Sequence, residues 1–130
     1  MPHIILDCPR PLARMVDLDA VLDRLHAAIA REPSVAAADV KSRVHLVDHW
    51  RSGEGRAGES VVHARVLLTR PRSEAQRTAI AALALDGLRT AFASPPVPLQ
   101  LCVELTAVPD GHYVKTSAAV SSPLNKVSAP

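Results

Sequence analysis

The feature that most limits how this chain can fold is the order of its apolar patterns. Short runs rich in β-branched residues alternate with two longer segments in which apolar residues recur at helical spacing. The order strand, helix, strand therefore occurs twice within 130 residues. A chain of this length buries one core, so we expect the two halves to form a single domain.

The first half supplies one β-α-β unit. Residues 3–8 are apolar and β-branched, which predicts a strand. Apolar residues recur at helical spacing over 18–29, with Asp17 placed to cap the helix and Pro33 beyond its end. Residues 40–51 have a mixed alternation of polar and apolar side chains, which favours a second strand.

The second half repeats this order after a loop. Residues 52–60 place three glycines among charged residues, which is typical of a loop. A third strand is predicted over 61–69. A capping box begins at Ser73, and its helix carries apolar residues as far as Phe92. Residues 99–106 alternate strictly between apolar and polar, which predicts a fourth strand.

These elements predict an α/β (α+β) fold. Two β-α-β units, 1–52 and 58–108, would form a four-stranded sheet with both helices on one face. They would make up a single domain over 1–130, and 109–130 would be a tail rich in Ala, Ser, Pro and Val.

A sheet with helices on one face leaves its other face without cover. We therefore expect an oligomer in which the sheets of several copies pack around a shared centre. The tail is expected to lie on a neighbouring subunit or to be partly disordered.

The composition argues against nucleic acid as a partner. Phe92, Tyr113 and Trp50 are the whole aromatic content, too few for a surface that stacks on bases. The net charge is +2, and the arginines are scattered along the chain without a basic tract. A small anionic ligand fits this charge better than a duplex does.

The same composition suggests a cytoplasmic protein without a membrane partner. No apolar stretch approaches the length of a membrane span, and the N-terminus lacks the pattern of a secretory signal. Cys8 and Cys102 do not form a CxxC pair, and we expect both to act as small hydrophobic residues in strands.

Pro2 is the first candidate for chemistry. A small residue in second place allows Met1 to be removed, which leaves a secondary amine at the chain end. Such an amine titrates near 8, and burial or neighbouring cations lower that value toward neutrality, where a base works well. A proline at this position is also common in chains where it has no role, so Pro2 needs support from other residues.

That support comes from a set of short motifs at matching spacing. They are Met-Pro-His-Ile-Ile over 1–5, Ser-Arg-Val-His over 42–45, Val-Asp over 47–48 with Trp50, Val-His over 62–63, and Arg-Ser over 72–73. Over residues 1 to about 115 the chain resembles the 5-carboxymethyl-2-hydroxymuconate delta-isomerase family of the tautomerase superfamily. The resemblance implies a tautomerase-like fold of β-α-β units, commonly trimeric at this length, which agrees with the strand prediction.

The resemblance also implies roles for particular residues. Pro2 would be the general base and acid that moves a proton along a conjugated enol acid. Arg72 would bind a substrate carboxylate together with the free N–H groups of the helix that begins there. Lys41 stands where the family has arginine, so it keeps the charge that would stabilise a developing oxyanion but loses bidentate geometry.

Two further residues complete the implied site. His3 would tune the Pro2 amine or pack beneath it, and Tyr113 would contact the substrate. The segment after Tyr113 departs from the family, which leaves the natural substrate open. The resemblance implies a small anionic unsaturated acid from aromatic-ring breakdown as substrate, a homotrimer as the assembly, and no cofactor.

The six histidines do not predict a metal site. His45 and His49 are four residues apart in a predicted strand, about 13 Å on one face, so they cannot share an ion there. No HExxH motif or Cys/His cluster has ligand spacing. Asp48 and Glu104 would form a carboxylate pair only if their strands were neighbours, and we expect surface or ion-pair roles for them.

Two other functions remain open from the sequence. One is hydration or dehalogenation of an unsaturated acid, which uses similar parts within this superfamily but must also activate water. The other is a trimeric binding protein that keeps the fold without catalysis, an alternative that Lys41 and the altered tail support.

Overall fold

A computed structural model describes residues 1–55 and 58–120 of the chain. Its strands are β1 (Pro2–Pro9), β2 (Lys41–Val47), β3 (Ser60–Leu68) and β4 (Leu99–Ala107), and its helices are α1 (Arg10–Ala13), α2 (Leu18–Ile29) and α3 (Glu74–Ala91), with a 3₁₀ turn at Ala37–Asp39. None of the described helices has the length and hydropathy needed to cross a membrane. The predicted α+β fold and its four strands are confirmed.

The four strands form one mixed sheet in the order β2-β1-β3-β4. β1 runs parallel to β2 and β3 runs parallel to β4, while the two central strands β1 and β3 are antiparallel. Each parallel pair is joined through a helix, as parallel strands require. The N-terminal residues therefore enter the sheet on a central strand and not at an edge.

One face of the sheet carries the core. Along β1 and β3 every second side chain is buried, including Ile4, Leu6, Val62 and Val66. These residues belong to one hydrophobic cluster with the buried residues of both long helices: Val21, Leu25, Ile29, Ile80, Ala84 and Leu88. The helices thus cover one face of the sheet, which leaves the alternate side chains of the strands on the other.

Both long helices start at the residues that the sequence predicts. The side chain of Asp17 accepts a hydrogen bond from the amide of Ala20 at the start of α2. At the start of α3, Ser73 and Gln76 satisfy each other's amides in a capping box. These caps hold first-turn N–H groups that a helix cannot pair internally.

The predicted second strand is too long at its C-terminal end. β2 stops at Val47, which pairs with Pro9, the last residue of its neighbour β1, and Asp48 then forms an ion pair with Arg10, 2.7 Å away. The indole of Trp50 then donates to the carbonyl of Glu59 at 3.0 Å, which draws the chain into the loop.

Two other segments differ from or extend the sequence prediction. Helix α1 was not predicted, since Pro9 and Pro11 read only as breakers; proline is tolerated in a helical first turn, where its missing N–H is not needed. Residues 109–120 form no helix or strand. The rest of the predicted tail, 121–130, lies outside the described residues.

Candidate active site

The first residues of the chain lie at one end of β1. Pro2 pairs with Leu68 of β3, and its side chain is fully buried on the face that the helices cover. Its nitrogen is joined to Met1, whose carbonyl oxygen accepts a hydrogen bond of 2.7 Å from the hydroxyl of Thr69. Removal of Met1 would convert that nitrogen into a terminal amine at the same place.

Cations surround this end of the strand. Burial, then Arg70, then Arg72 lower the pKa of the Met1 amine below its ordinary value of 8.0; Lys115 acts in the same direction and Asp39 opposes it. Arg70 pairs with Asp39 at 3.6 Å. An excess of positive charge disfavours an ammonium ion, so an amine here holds its proton weakly.

His3 lies beside Pro2 on the uncovered face of the sheet. Its Nε2 hydrogen-bonds the Tyr113 hydroxyl at 2.9 Å, and the two rings meet edge to face with centroids 5.4 Å apart. Burial is the largest cause that lowers the pKa of His3, followed by Arg43, the terminal amine and Lys41. Lys41 is the residue that pairs with His3 across β1 and β2, and its side chain is exposed.

The Arg72 side chain is held in place by Ser34, which follows α2 in the first half of the chain. Its Nε donates to Ser34 Oγ at 3.0 Å and its Nη2 donates to the Ser34 carbonyl at 3.3 Å. Ser34 in turn donates through its amide to the buried carboxylate of Glu32 at 2.7 Å. Among the described residues, the third nitrogen of the guanidinium, Nη1, is buried and has no hydrogen-bond partner. Burial lowers the pKa of Arg72, with Arg70 as the second cause.

The Arg72 guanidinium and one first-turn amide of α3 already have partners within the chain. The first-turn amide of Gln76 is bonded to Ser73, and the Arg72 guanidinium lies on Ser34. Nη1 has no partner among the described residues but is buried, so the convergence of Arg72 and the helix amides on a carboxylate stays a prediction.

The structure brings most of the predicted site residues to one end of the sheet. Pro2, His3 and Tyr113 are linked through direct contacts around Met1, since the Tyr113 hydroxyl also lies 3.7 Å from the Met1 sulfur. Arg72 acts on the Met1 amine through its charge. Lys41 acts on His3 and stands on the outer side of this group.

Two residues of this end were missed from the sequence, Thr69 and Arg70. Neither belongs to a motif, and both follow β3, far from Pro2 along the chain. Their position depends on the pairing of Pro2 with Leu68, because this register places the residues that follow β3 opposite Met1. The pattern of β1 and β3 predicts two strands but not which residues of each are neighbours.

Asp48 and Glu104, the two carboxylates that the sequence singled out, are paired with other residues. β2 and β4 lie at opposite edges of the sheet, so Asp48 and Glu104 form no carboxylate pair; Asp48 pairs with Arg10 and Glu104 pairs with His63 at 2.8 Å. Within residues 1–55 and 58–120, no group of three His, Cys, Asp or Glu side chains has the geometry to hold a metal ion.

Chemically, the N-terminal end of the sheet offers an amine and several cations. An amine whose pKa is lowered holds its proton more weakly and is more readily available as a base. Arginine and lysine around it attract carboxylates and stabilise negative charge that develops on a nearby oxygen. The arrangement suits proton transfer within a small anionic molecule.

Comparison with known proteins points to the same chemistry. A model of the family described as 5-carboxymethyl-2-hydroxymuconate isomerase matches residues 2–120. The 5-carboxymethyl-2-hydroxymuconate Delta-isomerase of Escherichia coli is 27% identical over 94 residues, which cover 72% of this chain and 75% of that protein.

Solved structures agree with the fold. A crystal structure of 5-carboxymethyl-2-hydroxymuconate delta-isomerase superposes with a TM-score of 0.78 at 17% identity, over 90% of this chain and 89% of that one. A more distant structure, described as a Q0 fused 4-OT wild type symmetric trimer, has a TM-score of 0.58 at 13% identity and covers 83% of this chain and 88% of that one.

Proposed function

This chain belongs to the 5-carboxymethyl-2-hydroxymuconate isomerase family of the tautomerase superfamily, and on that premise we propose how it acts and on what. Its substrate is an unsaturated 2-hydroxy polycarboxylate such as 5-carboxymethyl-2-hydroxymuconate, and its product is the 2-oxo isomer. Pro2, freed by removal of Met1, carries the proton. No cofactor takes part.

One observation supports this proposal above the others. Burial and the cations Arg70 and Arg72 together lower the pKa of an amine at the start of β1. Arg70 and Arg72 remain in the chain when Met1 is removed, so we expect their charges to lower the pKa of the Pro2 amine as well. A base that is neutral near pH 7 and lies among cations is what proton transfer from an anionic enol acid requires.

The reaction is a balanced transfer of one proton. The neutral Pro2 nitrogen takes the proton of the 2-hydroxyl group, the O–H bond breaks, and the electron pair moves through the conjugated double bonds. The Pro2 ammonium then returns the proton to a carbon further along the conjugated system of the substrate, where a C–H bond forms. The product has the same atoms as the substrate, and Pro2 is again neutral.

Two cations, Arg72 and Lys41, have separate roles in the proposed mechanism. Arg72 binds a substrate carboxylate, for which its buried Nη1 becomes accessible when substrate enters, while Ser34 holds the guanidinium in place. Lys41, beside His3, supports the negative charge that spreads over the substrate in the transition state. His3 and Tyr113 close the site through their hydrogen bond.

The experiment combines intact mass with an ultraviolet assay on one sample. We expect a mass without Met1 and a decay of the dienol absorbance of 5-carboxymethyl-2-hydroxymuconate that exceeds the spontaneous rate. Pro2→Ala should remove most of the activity, about a hundredfold or more for the loss of a general base, while the far-ultraviolet circular dichroism is unchanged. Processed protein without activity, or a Pro2→Ala variant with full activity, contradicts the proposal.

The same sample separates the alternative reactions. A hydratase or dehalogenase would incorporate water or release halide from an unsaturated chloro acid, and a binding protein would change neither substrate. We expect isomerisation without halide release.

A homotrimer is the second part of the proposal. The helices cover one face of the sheet and leave charged and apolar residues of all four strands on the other. The symmetric trimer among the solved neighbours supports closing that face with two further copies.

A further inference from the structure

Thr69 makes a contact at the site that no assigned role explains. Its hydroxyl donates to the carbonyl oxygen of Met1 at 2.7 Å. Thr69 directly follows Leu68, the partner of Pro2, and the end of β3 is fixed by a hydrogen bond of 2.8 Å from the amide of Val108 to the Leu68 carbonyl. The half-buried hydroxyl is thus placed by the backbone of the central strands.

The Met1 carbonyl oxygen stands in for an oxygen of the substrate. It is separated from the Pro2 nitrogen by two bonds of about 1.2 and 1.3 Å, so the Thr69 hydroxyl lies no more than about 5 Å from that nitrogen. One oxygen atom can accept a hydrogen bond from the hydroxyl and lie within hydrogen-bond distance of the nitrogen, because two bonds of about 2.8 Å span up to about 5.6 Å.

We infer that Thr69 is a further catalytic residue of this enzyme, whose hydroxyl donates to the 2-oxygen of the substrate while Pro2 removes the proton from that oxygen. The inference rests on the proposed function, in which the enol proton passes to Pro2. As the O–H bond breaks, negative charge grows on the oxygen, and the hydrogen bond from Thr69 strengthens. Thr69 transfers no proton; it lowers the energy of the charged state.

Tyr113 and Arg72, two other donors at this end, already have partners. The Tyr113 hydroxyl hydrogen-bonds His3 and lies 3.7 Å from the Met1 sulfur. Two of the three guanidinium nitrogens of Arg72 are bonded to Ser34. The Thr69 hydroxyl is hydrogen-bonded instead to the Met1 carbonyl oxygen, which is two covalent bonds from the reacting nitrogen.

The test compares three variants with the wild-type protein in the same steady-state assay. Thr69→Val removes the hydroxyl and keeps the shape, and Thr69→Ser keeps the hydroxyl. Thr90→Val is the matched control, because the Thr90 hydroxyl also donates to a backbone carbonyl, that of Asp86 at 3.0 Å, on the exposed side of α3. Intact mass confirms that Met1 is removed from each protein.

We expect Thr69→Val to lower kcat by about 100-fold, the lower end of the range seen when a donor to a developing oxyanion is lost. The kcat of Thr69→Ser should stay within about threefold of the wild-type value, and the kcat of Thr90→Val should equal the wild-type value. The acidic limb of the kcat/KM profile should not move in Thr69→Val, since Thr69 acts on the substrate and not on the Pro2 amine.

Three results would overturn the inference in distinguishable ways. If the kcat of Thr69→Val lies within twofold of that of an active wild type, the catalytic role of Thr69 is wrong and the proposed function still holds. A shifted acidic limb with a normal limiting kcat assigns Thr69 to the amine instead of the substrate. Processed wild-type protein that does not isomerise the dienol removes the proposed function and the Thr69 role together.

Discussion

Arg70 and Asp39 form an ion pair beside the first residue of the chain, and together they influence how readily an amine there holds a proton. Arg70 is the largest electrostatic cause that lowers the pKa of the terminal amine, and Asp39 raises it. In the proposed mechanism the amine must be neutral to accept the enol proton. Activity is then lost as the pH falls through the pKa of Pro2, which we expect below the ordinary value near 8.

Arg70→Gln should move the acidic limb of the kcat/KM profile to higher pH. The substitution removes a cation and leaves Asp39 without that partner, and both changes favour the ammonium form of Pro2. Arg31→Gln is the control, because Arg31 pairs with Asp86 at 3.3 Å on the helical side of the molecule. A limb at the same pH in Arg70→Gln and wild type would contradict the proposed influence of this cation.

The sequence predicts part of this site through motifs and misses the part that depends on strand register. Pro2 and Arg72 belong to short motifs whose spacing is visible in the chain. Thr69 and Arg70 belong to none, and they reach the N-terminus only because β1 and β3 are antiparallel and pair Pro2 with Leu68. The bond between Arg72 and Ser34 is equally invisible, since it joins loops of the two halves.

The helices and strands were predicted more completely than the site. Apolar periodicity and side-chain caps act within a few residues, so α2 and α3 begin as expected. The end of β2 coincides instead with the end of its neighbour β1, where Val47 pairs with Pro9, a residue distant in sequence. Helix α1 is a single turn that begins beside prolines, and its pattern is too short to show periodicity.

Gly87 lies where α3 packs closely against α2. A methyl group at this position would lie 2.9 Å from the Cβ of Ala28 and 3.3 Å from the carbonyl oxygen of Arg24. The replacement of a helical glycine by alanine normally stabilises a helix by about 1 kcal/mol. Here the added methyl forces two packed helices apart, at a cost of about 1–3 kcal/mol.

We therefore expect Gly87→Ala to lower the free energy of unfolding, measured by urea titration, by roughly 1 kcal/mol net. Ala28→Gly removes the opposing methyl, so the double variant should be more stable than the two single effects predict, by about 1 kcal/mol or more. Additive single effects, or a stabilised Gly87→Ala, would show that the helices separate freely at this contact.

The uncovered face of the sheet combines charged side chains with a partly exposed isoleucine. Arg43, Arg65 and Asp7 lie on it around Ile5, which pairs with Arg43 on one side and Arg65 on the other. Arg65 contacts Asp7 at 3.5 Å, yet among the described residues its Nε is buried without a hydrogen-bond partner. A buried donor of this kind is costly unless it is paired, so contact with another copy is one way to satisfy it.

Ile5 gives the means to test whether that face is covered by copies of the same chain. In the isolated chain Ile5 is partly exposed, so Ile5→Arg leaves the helix-covered core intact. Between Arg43 and Arg65 a third cation would have to be buried beside like charges in an assembly, which is strongly unfavourable. We expect light scattering to give three times the 13.9 kDa chain mass for wild type and a smaller mass for Ile5→Arg. Ala27→Arg, on the exposed side of α2, should keep the wild-type mass. If wild type has the mass of one chain, or if Ile5→Arg assembles as wild type does, the sheets do not meet through this face, and the charges on it serve the folded monomer alone.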